Sequence, residues 1–183
     1  MTDPLGQDIR ALRKARGLTL QELADAVGRS VGWLSQIERG QTAPSIPDLG
    51  RIAEAVGVTI SFFFRSASRS AEERGVIQRA ADRMAIGSLA SGLAEELLSP
   101  SLGGSFEIIQ STFAPGASGA SPGGKDREDG GVVVQGSLTL TIGSFTTQLQ
   151  TGDSFQFAGQ PYAWANPADT PAVVIWVISP PVY

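Results

Sequence analysis

The 183-residue chain carries 14 basic and 18 acidic residues, a formal net charge of −4, and neither cysteine nor histidine. Those two absences exclude disulfides, thiolate nucleophiles, Ser-His-Asp machinery and Cys or His metal ligands, so a metal could rest only on carboxylates, carbonyls and hydroxyls. Hydrophobic residues at 42 % support packed cores. No apolar run approaches the ~20 residues of a membrane span, and Met1-Thr2-Asp3-Pro4 does not read as a secretory signal, so a soluble cytoplasmic protein is expected.

The first half reads as short helices. Leu5, Ile9 and Leu12 recur at helical spacing, and Gly17 is a stop signal. Thr19-Leu20-Gln21-Glu22 matches a capping box, with Leu23, Ala24 and Val27 on the inner face and Gly28 as the end. Ser30 is the next cap, ahead of Leu34 and Ile37, with Gly40 as the stop. Ser45-Ile46-Pro47-Asp48 opens a fourth helix, whose stripe is Ile46, Leu49, Ile52, Ala53 and Val56 up to Gly57. Thr59 caps a predicted fifth helix through Phe62-Phe63-Phe64. Arg65-Ser66-Ala67-Ser68-Arg69-Ser70 is small and polar and suits a linker.

Two predicted helices, 19–27 and 30–39, meet at the tight turn Gly28-Arg29, the spacing of a helix-turn-helix. Ile9-Arg10-Ala11-Leu12-Arg13, Gly17 to Ala24, Leu34 to Gly40 and Pro44-Ser45 closely resemble the phage-repressor-like (XRE-type) helix-turn-helix family. The resemblance covers about residues 5–64 and implies binding to a double-stranded DNA operator. It implies that Ser30, Val31, Gly32, Trp33 and Gln36 approach base edges. Gln36 can pair bidentately with adenine, and Val31 can meet a thymine methyl. Thr19, Arg29, Ser35, Arg39 and Thr42 are the phosphate candidates. Arg13 and Glu38 are expected to pair with each other, as matching positions do in related repressors. Trp33 is open between core and DNA face, and Arg10, Lys14 and Arg16 fit a solvated helix face. Residues 1–65 hold 8 basic and 7 acidic residues, so non-specific DNA affinity should be modest, leaving dimerisation and base contacts to supply specificity.

The second half changes character: residues 84–183 hold only 2 basic and 8 acidic residues. Short strands are predicted at Ser105–Phe113, Gly131–Gly136, Ser137–Ile142, Phe145–Leu149, Ser154–Phe157, Pro161–Ala165 and Val173–Ile178. Even spacing and turn signals at Pro115-Gly116, Gly143-Ser144, Thr151-Gly152-Asp153 and Asn166 to Asp169 argue for a sandwich or barrel. Pro115-Gly116, Val134 to Leu138, Gly152 to Phe155, Pro161-Tyr162 through Asn166-Pro167 and Trp176 to Pro181 resemble the cupin family, and Leu97 to Pro100 is typical of cupins fused to this helix-turn-helix. The fold class this implies is a multidomain α+β chain: a five-helix domain at 1–65, a linker at 66–82 and a small double-stranded β-helix barrel at 83–183.

Metal-holding cupins use His and Glu ligands. Aligned on Gly136 and on Pro161 with Asn166, those positions fall on Lys125, Asp129 and Tyr162, so no metal and no cofactor is expected and the chain reads as a non-enzyme. A metal-free pocket for a small organic effector would then have Lys125, Asp129 and Tyr162 as polar groups and Trp164, Phe155 and Phe157 as walls. Two alternatives stay open. In the first the aromatics simply fill the barrel; in the second Lys125 to Asp129 form a solvated loop. The architecture implies a homodimeric transcriptional regulator, with the cupin either sensing a ligand or serving only to dimerise a constitutive repressor.

Overall fold

A computed structural model describes residues 4–64, 72–73, 75–86 and 92–182. It divides into two compact units, Met1–Asp82 with Ser99–Gly104 and Pro181–Tyr183, and Arg83–Leu98 with Ser105–Pro180. Of the expected linker, residues 66–71 and 74 lie outside the described residues, as does the segment 65–70. No helix among the described residues is long and apolar enough to cross a membrane.

The first unit contains α1 (Pro4–Ala15), α2 (Leu20–Val27), α3 (Val31–Glu38) and α4 (Ile46–Val56). Local chemistry sets their ends. Thr19 and Glu22 form the reciprocal capping box, while Ser30 and Ser45 accept backbone hydrogen bonds from Trp33 and Asp48. Gly28 and Gly57 close α2 and α4 at φ of 71° and 73°, a left-handed conformation that favours glycine. The core is Ile9, Leu12, Leu23, Val27, Leu34, Ile37, Leu49, Ile52 and Val56. The predicted fifth helix is instead a 3₁₀ turn, Ile60–Phe64. It has five residues, little more than one turn, and buries Phe62 and Phe63.

Arg13 and Glu38 do pair, through bonds of 2.6 and 3.0 Å. The carboxylate of buried Asp8 on α1 accepts from the Leu102 N–H at 2.7 Å and the Ser101 hydroxyl at 3.2 Å, which secures residues 99–104 within this unit.

The second unit is antiparallel throughout. Its strands are β1 (Met84–Ile86), β2 (Leu93–Leu97), β3 (Glu107–Phe113), β4 (Ser118–Ser121), β5 (Glu128–Gln135), β6 (Ser137–Ile142), β7 (Phe145–Gln150), β8 (Ser154–Ala158), β9 (Tyr162–Ala165) and β10 (Ala172–Ser179). One sheet has the order β1-β2-β3-β10-β5-β8 and the other β4-β9-β6-β7. Alternation assigns the faces: Ile109, Ser111 and Phe113 of β3 and Val174, Trp176 and Ile178 of β10 are buried. Leu138 and Leu140 of β6 and Trp164 of β9 supply buried residues from the second sheet. Gly131 admits the ring of Phe155, because a Cβ there would stand 2.7 Å from both a ring carbon and the Ile175 carbonyl oxygen.

Candidate nucleic-acid interface and barrel interior

The turn at Gly28 delivers the chain into α3 with Ser30 as its cap. Along α3 and just beyond it, Gly32, Gln36, Arg39 and Thr42 are exposed, while Val31, Trp33 and Ser35 are half-buried. Gly32 and Gln36 are four residues apart and so share a side of the helix. A Cβ at Gly32 would meet nothing closer than 4.0 Å, so the absence of a side chain there leaves open surface on α3.

Several candidate side chains already have partners. The Thr19 hydroxyl donates to Glu22 Oε2 at 2.8 Å and accepts from the Glu22 N–H at 3.1 Å. These hydrogen bonds, backbone first and side chain second, hold the Glu22 carboxyl below its ordinary pKa. The Ser30 hydroxyl accepts from the Trp33 N–H at 3.2 Å. Arg29 is not a free cation: its Nε and Nη2 donate to the two Asp48 oxygens at 3.0 and 2.9 Å, and its guanidinium lies 5.5 Å from the centre of the Trp33 ring. Asp48 also accepts from Ser45 and Arg51. The hydrogen bond from Arg29, then that from Ser45, depress its pKa despite burial. Trp33 is therefore neither core nor fully free, but a half-buried ring against a clamped arginine. A depression of about 460 Å³ runs beside it, lined by Asp25, Gly28, Arg29, Ser30 and Trp33.

Inside the barrel unit, rings form a connected cluster. Phe155 meets Trp176 at 4.8 Å between centroids, Trp176 meets Tyr162 at 5.6 Å, and Tyr162 meets Phe157 at 5.2 Å. Phe113 packs edge-on against Trp164 at 4.7 Å. Tyr162, Trp164, Phe155 and Phe157, the aromatic candidates, thus all join interior packing. Asp129 is buried.

Lys125 is different: it sits exposed on the turn before β5. Arg127 takes the inward place instead. Its Nε and Nη2 donate to Asp129 at 2.6–2.9 Å, and Nη2 also donates to the Tyr162 hydroxyl at 3.1 Å. The reason is the Gly124 to Arg127 turn, closed by the Arg127 N–H on the Gly124 carbonyl at 2.9 Å. The strand begins only at Glu128, so strand alternation cannot be carried back to Lys125. Burial opposes the charge on Arg127, but the Asp129 and Tyr162 interactions outweigh it and its pKa stands above the ordinary value. Burial likewise raises the Tyr162 pKa.

A cavity of about 40 Å³ remains, lined by residues that include Glu95, Ser111, Tyr162, Trp164 and Trp176. The Ser111 hydroxyl donates to Glu95 Oε1 at 3.0 Å. The buried Trp176 Nε1 has no hydrogen-bond partner. Glu95, Ser111, Arg127 and Trp176 were not among the sequence candidates. Only the parity of Trp176 with Val174 and Ile178 on one strand hinted at any of them.

Comparison with known proteins gives the same division. Residues 4–61 match the Helix-turn-helix domain family and residues 110–178 the Cupin domain family. The HTH-type transcriptional regulator SutR of Escherichia coli (strain K12) is 32 % identical over 155 residues, 84 % of this chain and 82 % of SutR. The chain belongs to the HTH-type transcriptional regulators. Another relative, PuuR of the same organism, is 26 % identical to this regulator over 163 residues, 88 % of this chain and 86 % of PuuR. The hydroxypropylphosphonic acid epoxidase of S. wedmorenis shares the fold at TM-score 0.50 and 18 % identity, over 96 % of this chain and 97 % of that one.

The resemblance to metal-holding cupins implies ligand positions at Lys125, Asp129 and Tyr162, and the chemistry of these residues here does not fit a metal. Lys125 is exposed, and both Asp129 oxygens and the Tyr162 hydroxyl accept from Arg127. A fixed guanidinium at that place repels a second cation. Among the described residues no three His, Cys, Asp or Glu side chains converge to hold a metal ion.

Proposed function

We propose that the regulator binds a specific double-stranded operator as a homodimer, with α3 of each copy in the major groove of one half-site. The exposed Gly32 and Gln36 on one side of α3, behind a helix capped by Ser30, carry this reading. Gln36 reads adenine, Val31 contacts a thymine methyl, and Gly32 lets the backbone come close. Ser30 and Trp33 stand beside them. Thr19, Ser35, Arg39 and Thr42 contact phosphates, and Arg29 does so only while shared with Asp48.

Selection of bound sequences from a random duplex pool, followed by footprinting, tests this. The expected product is a two-fold symmetric site with half-sites about 34–36 Å apart. Enrichment of no motif, or of a lone half-site, defeats the proposal.

At Trp176 and Tyr162 the small cavity favours a non-catalytic dimerisation module, while a more open depression of about 440 Å³, walled in part by Phe155 and Phe157, lies elsewhere on the barrel. A volume of about 40 Å³ holds a water molecule or so rather than a metabolite, whose pockets run to roughly 300 Å³ or more. One observation favours a second reading, a metal-free sensor of a small organic molecule: the unsatisfied indole N–H of Trp176 calls for an acceptor. In that reading the guest displaces Tyr162 from the ring cluster, and Asp129, Trp164, Phe155 and Phe157 line the enlarged space. Lys125 has no part in it. Titrating small carbonyl and carboxylate compounds while following the Trp176 indole proton by NMR separates the two. A shift coupled to a change in operator affinity supports sensing, and silence across the set supports the module.

A further inference from the structure

We propose that the outer face of the six-stranded sheet is the homodimer interface, and that a second copy of this chain occupies it through reciprocal insertion of Val177 beside Gly130. The inference rests on the reading of the regulator as a dimer and assigns the surface that makes it one. Paired residues across a sheet point to the same side. Val177 pairs with Ile108 on β3 and Gly130 on β5, and Ile175 pairs with Gln110 and Val132. Because Val174, Trp176 and Ile178 point into the barrel, these rows point away from it.

These rows mix polar members, Gln110, Ser154 and Gln156, with exposed apolar ones: Val177 is 43 % exposed, and Phe106, just before β3, is 48 % exposed. Beside Val177 runs a groove of about 640 Å³, lined in part by Gly130, Val132, Ile175 and Gln156. At Gly130 even an added Cβ would find nothing nearer than 3.6 Å, so the missing side chain leaves a notch. An exposed valine next to a notch is self-complementary: a two-fold axis places each copy's Val177 in the other's notch.

Size points to a second copy as the occupant. The six strands, 36 residues at about 3.3 Å each and about 4.8 Å apart, give a face on the order of 600 Å² before side-chain relief is counted. A standard interface takes about 800 Å² per partner, so the face is of the right order. Among the charged groups bordering these rows, Glu96 lies 3.7 Å from Arg83, while Glu128 accepts from the neutral amide of Gln156 and keeps its charge. Nucleic acid therefore finds nothing to attract it, and a second copy must seat with Glu128 left in water at the rim.

Sedimentation equilibrium on the full chain tests the assignment. The wild type should run at twice its 19.1 kDa chain mass. Val177→Glu, which buries a charge, and Gly130→Leu, which fills the notch, should each raise the dimer dissociation constant by about a hundredfold or more. Near-UV circular dichroism should stay native in both. Because the chain has no cysteine, Val177→Cys is a unique thiol, and a short bis-maleimide should join two copies through it. A wild-type dimer that survives both variants and resists this cross-link overturns the interface but leaves the dimeric reading intact. A wild type that is monomeric both alone and on its operator overturns both. If Val177→Glu does not fold, Gly130→Leu and the cross-link decide.

Discussion

Removing the guanidinium of Arg127 should unmask the cost of burying Asp129. The Asp129 side chain is 2 % exposed and that of Arg127 15 %, and both carboxylate oxygens accept from Arg127. Arg127→Met keeps much of the aliphatic stem and deletes the charge. A buried pair broken on one side loses about 3–5 kcal/mol, because the remaining ion is desolvated without compensation. Partial exposure of Arg127 places the expected loss near the lower end, about 3 kcal/mol. For a unit of roughly 100 residues, 1 kcal/mol moves the melting temperature by about 4–8 °C, so a fall on the order of 12–24 °C is expected. The assay is thermal unfolding followed by near-UV circular dichroism, which reports the interior Trp164 and Trp176. The double variant Arg127→Met with Asp129→Leu should recover most of the loss, since an apolar pair replaces an ionic one without leaving a lone charge. A single variant that loses less than about 1 kcal/mol would refute the claim that Arg127 keeps Asp129 soluble in the barrel interior.

Gln36→Ala should weaken the selected operator by about 1–3 kcal/mol while leaving non-specific duplex binding unchanged, as competition gel shifts would show. Gly131→Ala should destabilise the barrel unit by about 1–3 kcal/mol in denaturant unfolding, because its Cβ must fit 2.7 Å from Phe155 and from the Ile175 carbonyl oxygen. Asp48 has a depressed pKa, so its contribution to stability is present above the ordinary aspartate range and is lost as the pH falls through the depressed value. Asp48→Asn should therefore flatten the acid limb of the stability–pH curve, and an unchanged acid limb would remove Asp48 from that account.

Where local chemistry decides, the sequence was enough. Thr19 with Glu22, Ser30, Ser45 and the glycines at 28 and 57 act within a few residues of themselves, so the helix ends were readable. So was the bend at Gly136 between two alternating strands. Long-range pairing was not. Leu93 to Leu97 contains Glu95 and Glu96 and has no apolar alternation, yet it forms β2 because β3 pairs with it and Ser111 binds Glu95. Residues 99–104 belong with the helical unit because Asp8 binds Leu102 across 94 positions of sequence, which no local pattern encodes. The exchange of Lys125 for Arg127 has a similar origin: the cupin resemblance put Lys125 among the pocket's polar groups, but the turn from Gly124 to Arg127 sets Arg127 against Asp129 instead.

That exchange changes what the missing histidines mean. A lysine on the interior could lose its proton when desolvated and leave an adaptable site. An arginine cannot, and burial keeps the Tyr162 hydroxyl protonated as well, so these two groups hold their charge state at physiological pH. The trio of Arg127, Asp129 and Tyr162 is then a fixed ion pair with a hydroxyl attached, closed to metals and unresponsive to pH through either Arg127 or Tyr162. Beside this trio lie a small cavity, lined in part by Glu95, and the indole donor of Trp176. Trp176→Phe is the informative substitution, because it removes a donor that has no acceptor. If the site is only packing, the variant should lose about 1–3 kcal/mol for the smaller ring, with unchanged operator binding. If a guest accepts from Trp176, the guest-free protein should show the same modest loss, but the operator response to that guest should disappear. A loss clearly beyond that packing cost in the guest-free protein would contradict both readings of the indole, because it would mean that the N–H is already satisfied.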